Sequence, residues 1–180
     1  MTVTKSLLAM LMLAIVATGC STEPTSDTKR EELNQDVDQT MQRLKLQDAD
    51  LQDFLNSAYA YAIFPSVGKG AIGVGGAYGR GQVYEKGAFV GYADLSQGTV
   101  GLQLGGQTYA ELICFDSKDA LNEFESGNFA FSANASATAL KSGAAKAAKY
   151  TSGVVVFVLP QAGLMFEASI GGQSFTYQPK

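Results

Sequence analysis

The chain has 180 residues, a formal net charge of −4 and no histidine. That balance argues against a nucleic-acid partner, which needs a basic footprint. Without histidine there is no imidazole metal site and no Ser–His or Cys–His nucleophile pair. The acidic excess lies between Cys20 and Tyr61, and residues 62–180 are balanced.

Lys5 followed by the apolar run Leu7–Ala17 reads as a signal sequence, too short to span a bilayer as a helix. It ends in Ala17-Thr18-Gly19-Cys20, which resembles the lipobox of bacterial lipoproteins, with Ala17 standing where leucine is commonest. The expectation is a signal peptide over 1–19, acylation (palmitate among the acyl groups) at Cys20, a lipidated tether over 20–30 and one domain over 31–180. An ordinary secretory cleavage near Ala17 is the alternative. Ser21 after the cysteine follows the sorting pattern of the outer membrane, which places the protein on its periplasmic face in a Gram-negative bacterium. Cys114 has no intrachain partner and reads as a small buried hydrophobe.

Thr28 and Glu31 fit a capping box that opens a helix. Leu33, Val37, Met41 and Leu44 then repeat at helical spacing on an otherwise charged helix. Asp48 or Asp50 can cap a second helix, striped by Leu51, Phe54, Leu55 and Ala58, that cannot pass Pro65.

From Gly70 the pattern is strands and tight turns. Strands are expected over 70–78, 82–84, 88–95, 99–104 and 108–115, with glycine turns at 79–81, 85–87, 96–98 and 105–106. A serine-capped helix follows over 117–127, then a strand over 129–134. The alanine- and lysine-rich segment 140–150 reads as a short helix or a loop. A hairpin of GVVVFVL and LMFEASI and a last strand in SFTYQ close the chain.

Gly68, Gly70 and Gly73 spell G-x-G-x-x-G, yet Pro65 precedes them and Gly75-Gly76 follow, where a phosphate loop needs a strand and then a helix. Strand parity puts Ala71, Gly73, Gly75 and Ala77 on one flat face, so the glycines serve close packing. Ser66-x-x-Lys69, Ser132-Ala-Asn134 and Lys141-Ser-Gly143 imitate the signatures of serine β-lactamases. Pro65, Gly68 and Gly70 deny the first of them its helix, and the other two stand too close together. The acidic residues show no metal-ligand spacing, so no metal, cofactor or catalytic residue is expected. Glu111 shares a strand face with Tyr109, Ile113 and Phe115, where a solvated strand end or an arginine partner is the ordinary expectation. Lys69, Arg80 and Lys86 fall at strand ends and turns, where antiparallel pairing can gather them. Together with Lys141, Lys146 and Lys149 they also fit a scatter of solubilising charges.

The wording from Ala58 onward, with FPSVGKG, GGAYGRG, GLQLGGQ and the FDSKDAL helix in order, resembles the SYLF (DUF500) domain family, over roughly Leu33 to the C-terminus. The resemblance implies phospholipid binding; eukaryotic members use basic residues and an N-terminal amphipathic segment. Lys69 and Arg80 lie in matched motifs and carry over as headgroup-binding candidates, and Lys86 joins them on charge alone. The acidic first helix departs from the eukaryotic pattern, with the anchor at Cys20 in its place. No lysine-rich tail supports actin binding.

The reading is an α+β domain, N-terminal helices packed on a strongly curved or closed, barrel-like antiparallel sheet. Its expected role is non-catalytic binding of anionic membrane phospholipid. A structural or stress-related envelope lipoprotein that binds protein partners is the alternative.

Overall fold

The computed structural model describes residues 22–127, 129–131, 137–163 and 170–180. Two helices, α1 (Asp27–Gln47) and α2 (Leu51–Ser57), lead into two long strands, β1 (Ala60–Glu85) and β2 (Ala88–Phe115). α3 (Lys118–Glu125), β3 (Thr138–Ala139), α4 (Ala144–Ala147), β4 (Val154–Gly163) and β5 (Gln173–Pro179) complete the described elements.

α1 starts one residue before the expected capping box. Ser26 is the cap, its hydroxyl accepting from the Lys29 N–H at 3.3 Å. Arg30 is tied back to Glu23 at 3.0 Å and to Asp27, so the turn holding Thr28 is already helical. Residues upstream of this cap, expected to be a solvated tether, lie against β5. The Glu23 N–H donates to Gln178 Oε1 at 3.1 Å, and the Thr22 and Thr176 hydroxyls meet at 3.3 Å.

The five strand segments expected between Gly70 and Phe115 merge into one hairpin that begins ten residues earlier, at Ala60. Its turn is Lys86-Gly87, with φ of 49° and 80°, the paired positive angles of a type I′ turn. The expected turns at 79–81, 96–98 and 105–106 are ladder positions instead. Glycines stand opposite one another across the hairpin, Gly70 with Gly106 and Gly76 with Gly98, so they stay in the ladder. Pro65 is accommodated at a register shift between Phe64 and Val67, where a missing N–H breaks no ladder bond.

Close packing is visible at two other glycines of β1. A Cβ on Gly81 would lie 2.3 Å from the Ile63 carbonyl oxygen, and one on Gly79 would lie 2.8 Å from a Val67 methyl. At Gly79 and Gly81 the second part of β1 therefore comes close to Ile63, Phe64 and Val67 in its first part, leaving no room for a side chain. At the far end the Lys86 N–H donates to the Tyr59 carbonyl at 3.0 Å. The flat face read at Ala71, Gly73 and Gly75 falls on residues whose side chains are outside the description.

The sheet order is β1-β2-β4-β3, and β5 pairs with the first half of β2. β2 is the central strand, with β1 along one edge and β5 and β4 sharing the other. The class is α+β, but the closed or strongly curved barrel expected from the turn pattern is not formed. β3 has two residues, pairs parallel with β4 and ends the order without reaching β1. The strand expected over 129–134 is described only at Phe129–Phe131, where Ala130 bridges Ser174. The LMFEASI half of the second hairpin lies almost wholly outside the described residues.

Alternation along the strands builds two cores. Ala62, Phe64, Ile113, Phe115 and Phe175 point inward with α3's Leu121 and Phe124, and the Phe124 and Phe175 rings lie 5.0 Å apart. Ile63, Leu112, Cys114 and Phe157 point outward, under Leu33, Val37 and Leu44 of α1 and Leu51 and Leu55 of α2. Cys114 is fully buried, as read from the sequence. Among the described residues no helix is long and apolar enough to cross a membrane.

Candidate functional site

The C-terminal end of α1, α2, the entry to β1 and the Lys86-Gly87 turn enclose a groove of about 360 Å³. Met41 and Lys45 line it from α1, Leu55 from α2, and Tyr59, Tyr61 and Lys86 from the strand ends. The turn geometry fixes Lys86. Its backbone N–H is held by Tyr59, and its ammonium sits 5.0 Å from the centre of the Tyr59 ring, a cation–π contact. The Tyr59 hydroxyl bonds to Glu85. That bond, then burial and the Glu85 charge, raise the phenol above its ordinary value, so Tyr59 stays neutral. Neither Lys45 nor Lys86 forms an ion pair among the described residues. Two ammonium groups beside apolar and aromatic walls suit an anion carrying an apolar portion.

The three basic residues singled out from the sequence are not gathered in this groove. Arg80 lies opposite Asp94 in the ladder and pairs with it, Nε to Oδ1 at 2.8 Å and Nη2 to Oδ2 at 3.3 Å. Asp94 also raises the guanidinium pKa, first through this hydrogen bond. The exposed Tyr78 hydroxyl accepts from Nη2 at 3.3 Å. Lys86 lies six positions beyond Arg80, about 20 Å of extended chain. Lys69 is 7% exposed, opposite Gln107 on the other arm of β1. Lys141, Lys146 and Lys149 lie in and around α4, which packs against α2, and do not line the groove.

Lys45 escaped the sequence reading because the first helix was judged by its total charge. The acids fall at Asp27, Glu31, Glu32, Asp36 and Asp38, whereas the last turns carry Arg43 and Lys45. The spacing of Met41 and Lys45, one turn apart, was the available signal for a shared face.

Glu111 is neither a solvated strand end nor an arginine partner. It is fully buried on the inner face of β2, and its Oε2 accepts from Gln173 Nε2 at 3.0 Å. Burial pushes its carboxyl up to about 7, with the Gln173 bond acting the other way.

Residues 96–179 match the family model described as Ysc84, Las17-binding protein actin regulator. That stretch, 84 of the 180 residues, is consistent with a SYLF domain. No curated protein matches the chain significantly. The SYLF match begins inside β2 and runs through β5, so it contains Glu111 and Gln173. The groove lies outside the SYLF match, as do Lys69, Arg80 and Lys86.

Proposed function

We propose that the protein is a non-catalytic envelope lipoprotein, anchored through acylated Cys20 to the periplasmic face of the outer membrane, whose SYLF domain binds anionic phospholipid. The observation that carries this reading is the groove in which Lys45 and Lys86 stand beside Tyr59, Tyr61 and Met41. The ammonium groups match a phosphate, and the ring and thioether surfaces match the adjoining glycerol and upper acyl chain. Arg80 is already compensated by Asp94, and Lys69 is buried, so Lys86 is the strongest of the three residues expected from sequence. Flotation of a chain starting at Ser21, which lacks the anchor, tests the reading. It rises with vesicles containing phosphatidylglycerol and not with phosphatidylcholine alone; failure to rise with either removes lipid binding by the domain.

A second reading has support in the matched family's description, which names a protein partner and actin regulation for that family. In it the domain serves a structural or stress-related envelope role by binding protein. Absence of flotation together with specific cross-linking to envelope proteins selects it.

A further inference from the structure

Between the arms of the hairpin lies a group of polar side chains with no part in the groove. Gln97 and Gln173 are ladder partners on β2 and β5, 4% and 0% exposed. Gln173 Nε2 donates to Glu111 Oε2 at 3.0 Å and reaches the Tyr109 hydroxyl at 3.4 Å. Gln97 Nε2 donates to the Gly171 carbonyl at 2.7 Å. Each amide nitrogen thus has a partner, while Gln97 Oε1, Gln173 Oε1 and Glu111 Oε1 have none among the described residues.

The pattern is one-sided. With Glu111 ionised, all three unsatisfied atoms of this group are acceptors, so an anion or another acceptor cannot fill the site. Turning either amide over does not repair it: Gln173 would aim its oxygen at the Glu111 carboxylate, and Gln97 would aim its oxygen at the Gly171 carbonyl. The ladder partners of Glu111, Phe64 on β1 and Val158 on β4, are apolar. Lys69, buried on β1, satisfies none of the three oxygens. Leaving a buried polar atom unpaired is costly, and three in one connected group call for an occupant.

We propose that Glu111, Gln97 and Gln173 form an internal cation site, taking a dehydrated sodium or potassium ion between the first and second halves of β2. The ligand chemistry is hard oxygen: one carboxylate and two amide carbonyls, with the Tyr109 hydroxyl in reach of Gln173. Among the described residues no three His, Cys, Asp or Glu side chains come together, so the donor set does not suit a zinc-like ion. Charge decides the valence. At mildly alkaline pH the ionised Glu111 supplies a single negative charge in a fully buried position, which a monovalent ion cancels and a divalent ion would overcompensate. The ion would tie β5 to both arms of β2 and stabilise the fold without touching the lipid groove, so its test is independent of the lipid reading.

The experiment compares thermal unfolding of the full chain at mildly alkaline pH in sodium, potassium and choline chloride of equal ionic strength. Choline is too large to enter and carries the same charge. The midpoint should be higher by about 2–4 °C in sodium or potassium than in choline. Glu111→Gln, which keeps shape and removes the charge, should abolish the difference. Should that variant not fold, Gln97→Leu gives the same reading by removing one oxygen. Sodium-23 relaxation provides a measurement on the unaltered chain, with excess broadening relieved by potassium. Equal midpoints in the three salts, or a rise with calcium alone, overturn the proposal.

Discussion

The carboxylate of Asp48 accepts a 2.7 Å hydrogen bond from the backbone N–H of Ala145 and another, at 3.1 Å, from Gly143. One buried side chain thereby joins the α1–α2 corner to the first turn of α4. It serves as a cap, but for a helix almost a hundred residues away, while Asp50, the N-cap residue of α2, gives that helix no side-chain cap. Burial alone would raise its pKa. The N–H groups of Ala145, Gly143, Asp50 and Ala144 together outweigh burial and hold the carboxyl below its ordinary value.

Asp48→Ala should therefore cost about 2–3 kcal/mol, because the Gly143 and Ala145 N–H groups lose their partner. The pH dependence has a definite sign. A depressed folded pKa contributes stability that is complete above the unfolded carboxylate value and disappears as pH falls through the folded one. Urea denaturation of wild type and Asp48→Asn should thus differ most near neutrality and converge in acid. A difference that does not change with pH would remove the charged hydrogen bonds from the account.

Glycine positions in the hairpin should split into two classes. Gly81→Ala places a methyl against the Ile63 carbonyl, a backbone atom that cannot step aside, and should cost roughly 1–3 kcal/mol. Gly98→Ala meets nothing within 4 Å and should be neutral or slightly stabilising. Chemical denaturation of the two variants decides it, and equal midpoints would mean that the arms of β1 do not meet as described.

The helices were legible because their apolar stripes, at Leu33, Val37 and Leu44 and at Leu51 and Leu55, are local 3.6-residue signals. Ser117 likewise announced α3, whose cap it is, at 3.3 Å to the Ala120 N–H. The strands were legible in kind and not in extent. Glycine clusters such as Ser96-Gln97-Gly98 have the composition of turns, and whether they turn depends on what stands across the ladder, here Ala77 and Gly76. Arg80, read as part of a glycine turn where pairing could gather bases, is a ladder residue, and the partner delivered by the register is Asp94 rather than another base. Lys45 was hidden in a helix whose acids lie two to five turns away.

The signal sequence carries its own prediction. If the Ala17-Thr18-Gly19-Cys20 junction is processed as a lipobox, the membrane-extracted protein begins at Cys20 and carries acyl chains. Intact mass and N-terminal fragmentation read both features at once. A mature chain that begins at Thr18, or that keeps an unmodified cysteine, would exclude the anchor.

The groove and the strand pair make opposite demands of the basic residues. Near an anionic leaflet each basic side chain contributes about 1 kcal/mol. Replacing Lys45 and Lys86 together with glutamine should then weaken vesicle binding by roughly tenfold or more, since 1.4 kcal/mol is a factor of ten. Neither lysine forms an ion pair among the described residues, so circular dichroism and the unfolding midpoint should barely change. Arg80→Gln should do the reverse. It breaks the 2.8 Å pair with Asp94, costs about 0.2–1 kcal/mol of stability as a cross-strand pair, and leaves vesicle binding intact. Salt should weaken wild-type binding along a shallow slope, because two charges are engaged rather than a polybasic surface. The acidic first turns of α1 repel an anionic surface at long range, so the attraction has to come from the groove itself. Flotation titrations of wild type, the double variant and Arg80→Gln across ionic strength separate these outcomes. Loss of binding in Arg80→Gln with none in the double variant would move the headgroup from the groove to the outer face of the hairpin.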